Sequence, residues 1–158
     1  MLNQIPILDY GGLSLVEYLL SKNKFKKKFK VLDIGGALGK HCQIMREFGL
    51  SVDIIDKYEK EAELVGDFNE YNFKTKYDMI YCSHVIEHIP QIKIVDVFNE
   101  FNRVLKPGGI LRILSPDLLK ISKAYVEGDK KFFEKALAED PNLRTDLGHG
   151  GIVANWFV

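Results

Sequence analysis

At 158 residues, 46% hydrophobic, 28% charged and with a formal net charge of zero, the chain fits one domain large enough to bury a core without disulfides or metal. The neutral balance excludes a general nucleic-acid or polyanion binder. No stretch is apolar enough to span a membrane, and no basic segment precedes the apolar N-terminal residues as a signal peptide would require.

Residues 13–20 carry apolar side chains at helical spacing and predict a short helix. "KNKFKKKFK" (22–30), with Phe25 and Phe29 among lysines, reads either as a patch for phosphate or acidic lipid or as a solvated connector ahead of a strand; the connector is the expectation. "KVLDIGG" (30–36) is a compact apolar run ending in Asp and Gly, a buried strand entering a turn. "LGKHCQIMREFGL" (38–50) predicts a helix with Ile44, Met45 and Phe48 on one stripe and Gly49 ending it. "SVDIID" (51–56) and the weaker "AELVGDF" (62–68) are the next strands, each closing on an acid. "KYDMIYCS" (76–83) is a fourth strand, and "HVIEHI" a turn or short helix after it.

Beyond Pro90, "QIKIVDVFNEFNRVL" (91–105) predicts a helix whose apolar face is Ile92, Val95, Phe98 and Leu105. "KPGG" breaks it, and "ILRILS" (110–115) is a fifth strand. Strands alternating with helices imply right-handed crossovers and an α/β, doubly wound, mostly parallel sheet. After Pro116, two amphipathic helices are expected, split by Gly128 with Asp129 as cap and closed by Pro141. A polar loop, "NLRTDLGHGG", then leads to "IVANWFV", with room for one short strand at most. His149 in that loop is a mobile loop residue or a substrate contact; Trp156 is expected to pack.

Ligands of an open parallel sheet bind outside the carboxyl ends of its strands, where Asp33, Asp56 and Asp67 are expected. The turn "DIGGALG" adds Gly35, Gly36 and Gly39, which let the backbone bend sharply and approach a ligand. The spacing is not G-x-G-x-x-G, so the dinucleotide fingerprint is absent. Asp56 nonetheless lies roughly 20 residues beyond the glycines, where an acid accepts from ribose hydroxyls. Acids around the turn disfavour a pyrophosphate and suit a nucleoside carrying positive charge. The alternatives for these residues are structural: Asp56 as a strand-end acid, Asp67 as a turn starter and Phe68 as core. His84, Glu87 and His88 form H-x-x-E-H, which on a helix would put two histidines on one face around zinc, as in inverted zinc peptidases. Cys42 and Cys82 form no C-x-x-C and point to a reducing, cytoplasmic setting.

The pieces "VLDIGGALG", "VDIID", "GDF", "YDMIYCSHVIEHI" and "RVLKPGGILRIL", in that order over about residues 30–115, resemble the class I S-adenosylmethionine-dependent methyltransferases, in particular the small-molecule group called methyltransferase type 11. The resemblance implies a Rossmann-like sheet in the order 3-2-1-4-5 and S-adenosyl-L-methionine as cofactor. It puts Asp33, Gly35 and Gly39 around the methionine part, with Gly36 in the same turn and Ala37 where the family has its middle glycine. Asp56, with Lys57 beside it, matches the grip on the ribose hydroxyls, and Asp67 with Phe68 the contact to the adenine edge. Ser83 and His84 match positions that line the cofactor and face the substrate.

In this family the H-x-x-E-H letters recur without metal, so no metal is expected; a metal-assisted transfer to a hydroxyl is a narrower alternative. Glu87 and His88 would then orient the loop, and His84 or His88 would be the base for a hydroxyl acceptor. The helical segment after the fifth strand resembles an insertion in relatives associated with glycan and surface-polysaccharide gene clusters. That implies a small-molecule or glycan-linked acceptor carrying a hydroxyl or carboxylate, with no nucleic-acid partner. The family usually closes its sheet with a terminal antiparallel hairpin that is missing here, so a homodimer or a C-terminally shortened fragment is expected. The other readings are an inactive S-adenosylmethionine-binding module and an H-x-x-E-H metalloprotein.

Overall fold

The computed structural model describes residues 29–36, 40–139 and 148–155. Five strands, β1 (Lys30–Ile34), β2 (Ser51–Asp56), β3 (Leu64–Val65), β4 (Tyr77–Ser83) and β5 (Leu105–Leu114), form one sheet in the order β3-β2-β1-β4-β5. All three pairings among β1–β4 are parallel. The helices are α1 (Lys40–Glu47), α2 (Ile94–Val104), α3 (Leu118–Glu127), α4 (Lys130–Glu139) and α5 (Gly148–Asn155). Among the described residues, none of these is long and apolar enough to cross a membrane. The chain divides into two compact units, one holding residues 29–83 and 90–113, the other residues 84–89 and 114–155.

In the first unit β1 and β4 are buried almost end to end, as central strands covered on both faces must be. Their amino ends are tied by polar contacts: the Lys30 N–H donates to Asp78 Oδ2 at 2.8 Å, and Lys106 Nζ pairs with the same oxygen at 2.8 Å. Lys30 Nζ and the Tyr77 hydroxyl both meet Asp53 Oδ2, each at 2.8 Å. Of the lysine-rich stretch, Phe29 is buried and Lys30 is a strand residue; residues 22–28, like the helix expected over 13–20, lie outside the described residues.

β3 is only two residues long, against the seven expected. Glu63 bounds it on the amino side. Its Oε2 accepts from the Ile54 N–H at 3.0 Å, taking up a β2 donor that a longer β3 would have bonded, and Arg46 holds its other oxygen at 2.5 Å. α1 ends as expected: Gly49 is left-handed at φ 82°, and the N–H groups of Gly49 and Leu50 return to the carbonyls of Arg46 and Met45 at 2.9 and 3.1 Å. Of its expected stripe Met45 is buried, while Phe48 is exposed.

The apolar face expected for α2 is wrong. Ile92, Val95 and Phe98 are exposed, and the buried side chains are Val97, Phe101 and Val104. Residues Gln91–Lys93 form a separate 3-10 turn, so the α-helix starts at Ile94 and its phase is set from there. Phe101 sits in an aromatic cluster with Phe68 (5.1 Å between ring centroids) and Phe98 (5.5 Å).

In the second unit Asp117 caps α3 through the Lys120 N–H at 3.0 Å, and Gly128 ends it at φ 66°. Asp129 caps the next helix as expected, accepting from the Phe132 N–H at 3.1 Å. Pro141 lies outside the described residues. Where "IVANWFV" had room for one short strand at most, the residues up to Asn155 belong to α5, whose Ile152 packs with Ala124 and Phe133 in a small core. His149 lies on this helix rather than in a loop, and its ring stacks on Phe133 at 4.2 Å and 12°. Trp156 lies outside the described residues.

Candidate cofactor site

In the first unit the carboxyl ends of β1 and β2 adjoin. Gly35, directly after β1, adopts φ 71°, a conformation costly for any residue with a Cβ, and its N–H donates to the Ile55 carbonyl at 2.9 Å. Gly36 is a glycine for a different reason. A Cβ there would run into the carboxylate of Asp33, which is fully buried beneath the turn. The Cys42 thiol on α1 donates to Asp33 Oδ2 and also lies 3.7 Å from the Gly36 carbonyl oxygen. Burial, and then the negative charge of Asp33, push the Cys42 thiol well above its ordinary value, so at neutral pH it is a protonated donor. Ala37 and Gly39 lie outside the described residues.

At the end of β2, Asp56 is half-buried. Its Oδ1 accepts from the Tyr58 and Glu59 N–H groups at 2.8 and 3.0 Å, an Asx-type turn that fixes the side chain, and its carbonyl accepts from the Gly66 N–H at 2.9 Å. Among the described residues nothing bonds Oδ2. Lys57 reaches across to Asp67, Nζ to Oδ2 at 3.2 Å, which holds the ammonium above its ordinary value. Asp67 Oδ1 accepts from the Asn69 N–H at 3.0 Å. Burial raises the Asp67 pKa, but the Asn69 N–H and Lys57 outweigh it, so the carboxyl sits below its usual range. Phe68, 8% exposed, belongs to the aromatic core with Phe73 and Phe101 rather than to an open stacking surface.

Ser83 closes β4 and is half-buried. Tyr81, two residues earlier and thus on the same face, is the register partner of Asp33 and hydrogen-bonds the Ser83 side chain. The Arg112 guanidinium lies 6.0 Å from the centre of the Tyr81 ring. Burial pushes the Tyr81 phenol above its ordinary value against the opposing pull of Ser83 and Arg112. Asp33, Cys42, Tyr81, Ser83 and Arg112 thus form a polar group behind the strand ends. Cys42, Tyr81 and Arg112 were missed in the sequence; only the two-residue spacing from Tyr81 to Ser83 hinted at it.

His84 and His88 belong to the second unit. His84 adopts φ 57°, the one left-handed conformation among the described non-glycine residues, and its N–H donates to the Leu114 carbonyl at 2.9 Å. Glu87 and His88 lie on a single 3-10 turn, Ile86–His88, with the His88 N–H bonded to the Val85 carbonyl at 3.0 Å. The two histidines therefore do not share an α-helical face, which is what the zinc reading of H-x-x-E-H required. Among the described residues no three His, Cys, Asp or Glu side chains converge as a metal site.

Strand order 3-2-1-4-5, with a glycine turn after the first strand and an acid ending the next, is that of a doubly wound, Rossmann-like sheet. The methyltransferase domain family matches residues 8–140, and the chain belongs to it. An uncharacterized protein of Methanocaldococcus jannaschii, MJ0638, is 28% identical over 130 residues, covering 78% of this chain and 56% of that one. Among solved structures, an S-adenosylmethionine-dependent methyltransferase from Clostridium acetobutylicum matches 68% of this chain and 50% of its own at a TM-score of 0.57 and 19% identity, a likeness of fold. The PH0226 protein from Pyrococcus horikoshii OT3 is 25% identical over 78% of this chain and 65% of its own, with a TM-score of 0.52. The chain spans between 50% and 65% of the length of these relatives.

Proposed function

We propose that this domain binds S-adenosyl-L-methionine and transfers its methyl group to a small-molecule acceptor. The observation that carries the reading is the meeting of the glycine turn with the end of β2: Gly35 bonded to Ile55, with Asp33 beneath the turn and Asp56 closing the neighbouring strand. The residues fit this cofactor. Gly36 leaves backbone where a side chain would stand, and the surrounding acids favour a cation over a phosphate. Asp33, Gly35 and Gly36, with Ala37 and Gly39, would hold the methionine part. Asp56 is oriented by its own turn, which leaves Oδ2 for a ribose hydroxyl; Lys57 acts through Asp67, the acid assigned to the adenine edge. Phe68 supports that edge from the core. Ser83 ends β4 at the methyl-donor end of the site.

Bound, S-adenosylmethionine supplies a methyl group already activated on a sulfonium, so the chain's task is to bind, orient and exclude water. For a hydroxyl acceptor, His84, directly after Ser83, takes the proton, with His88 as the second candidate. A sugar- or glycan-linked hydroxyl or carboxylate is the proposed acceptor, supported by the resemblance of the segment after β5 to helical insertions in relatives tied to glycans. A cytoplasmic setting is supported by two buried free thiols, Cys42 and Cys82.

Calorimetric titration with S-adenosylmethionine tests the cofactor. Asp56→Ala is expected to weaken binding roughly tenfold or more, because a charge-assisted contact to the ribose is lost. Unchanged binding would remove Asp56 from the site, and no binding to the unmodified chain would sink the reading as a whole. Methyl transfer to sugar-linked acceptors, read with labelled cofactor, tests the acceptor class.

A further inference from the structure

Asp33 is the only charged residue that is buried among the described residues, and its surroundings are unusual. Its carboxylate, Oδ2 foremost, occupies the space that a Cβ at Gly36 would fill. The same oxygen accepts from the Cys42 thiol, which also stands 3.7 Å from the Gly36 carbonyl oxygen. The sulfur therefore touches both the acid and the backbone of the turn that the acid supports. We propose that Cys42 is a positioning residue of the cofactor site, its S–H clamping the Asp33 carboxylate under Gly36 and thereby fixing the glycine turn against α1.

Two other roles for the thiol are disfavoured by its setting. Cys42 is 3% exposed, so a reagent or a substrate carbon cannot readily reach it. Beside a carboxylate it keeps its proton, so it is a donor and not a nucleophile. What remains is a hydrogen bond to a charged acceptor in a dry setting, where donors count most. A methyl group in place of the thiol would leave a void into which the carboxylate can swing, away from Gly36. The turn would then lose the support from below that keeps its backbone in one position.

This inference rests on the cofactor reading above, and one set of titrations separates the two. S-adenosylmethionine affinity is measured for the unmodified chain, Cys42→Ser, Cys42→Ala, Asp33→Asn and the double variant Asp33→Asn with Cys42→Ala. Cys42→Ala is expected to weaken binding roughly fivefold or more, as removal of a donor from a buried charged group does. Cys42→Ser keeps a donor and is expected to stay within about threefold of the unmodified chain. In the Asp33→Asn background, Cys42→Ala should add less than about twofold, because the two residues act as one unit.

If the unmodified chain fails to bind, the cofactor reading falls and this inference with it. If it binds and Cys42→Ala binds equally well, or Cys42→Ser is as impaired as Cys42→Ala, only the positioning role is overturned. The same holds if the full Cys42→Ala loss persists in the Asp33→Asn background. Should Asp33→Asn abolish measurable binding, rescue by serine decides alone: its presence supports the role, its absence overturns it.

Discussion

Lys57 and Asp67 are joined by an ion pair of 3.2 Å, and the same carboxylate is pinned at its other oxygen by the Asn69 N–H. The lysine is exposed, so water screens the pair and it contributes little to stability. The net effect is an Asp67 pKa below the ordinary 3.8. A depressed pKa contributes stability that is present above the unfolded value and is lost as pH falls through the folded one. Asp67→Asn should therefore show a flatter loss of stability below about pH 4 than the unmodified chain, measured by urea unfolding across that range. Lys57→Ala should flatten the same limb less, since the backbone donor remains.

Gly36→Ala tests the contact between the turn and its supporting acid. The added Cβ has nowhere to go but into the Asp33 carboxylate, which is fully buried and held by Cys42. Overpacking of this kind costs about 1–3 kcal/mol. Cofactor binding should fall further than stability does, because the displaced group is the one assigned to the site. Paired thermal and calorimetric measurements on one preparation compare the two losses.

Much of the sheet was legible because its strands are short apolar runs closing on polar residues, and burial on both faces leaves that mark. Asp129 is also a local signal, and it caps as its position suggests. In the helix after Pro90 two faces were equally apolar. α2 carries Val95 and Phe98 as well as Val97 and Phe101, and only the packed structure selects the second pair. The start of β3 depends on Glu63 reaching Ile54, nine residues back, and no spacing rule announces that. "IVANWFV" has the β-branched residues of a strand, yet Ile152 is placed on a helix by its contacts with Ala124 and Phe133. At the site, Asp33 and Gly35 were readable as types in a turn. Cys42 was not, because a helical cysteine gives no sign of what its sulfur will face.

At alkaline pH the chain should lose stability through Tyr77. Its hydroxyl donates to Asp53 at 2.8 Å, and burial first, then that carboxylate, raise its pKa above the ordinary 10.0. Such a contribution is fully present below the unfolded value and lost as pH rises through the folded one. Tyr77→Phe is expected to cost about 1 kcal/mol at neutral pH. Its unfolding free energy should then decline less steeply than that of the unmodified chain above pH 10.0, where the unfolded tyrosine ionises.

His84 offers the sharpest separation of backbone from side-chain roles. At φ 57° it occupies a conformation that Gly, and to a lesser degree Asn, adopts with little strain and that β-branched residues resist. Its N–H is committed to the Leu114 carbonyl, so the conformation is held by a bond that any residue other than proline can make. His84→Gly and His84→Asn should therefore fold with stability within about 1 kcal/mol of the unmodified chain, while His84→Val should lose more than about 1 kcal/mol. Strain at a strand end is a common companion of function. If the imidazole takes the proton of a hydroxyl acceptor, His84→Asn should keep cofactor affinity and lose methyl transfer by roughly a hundredfold, with the neutral-pH inflection of its rate profile gone. Should Asn keep both the rate and the inflection, the base is His88 or the acceptor needs none, and the left-handed turn at residue 84 serves only to redirect the chain out of β4.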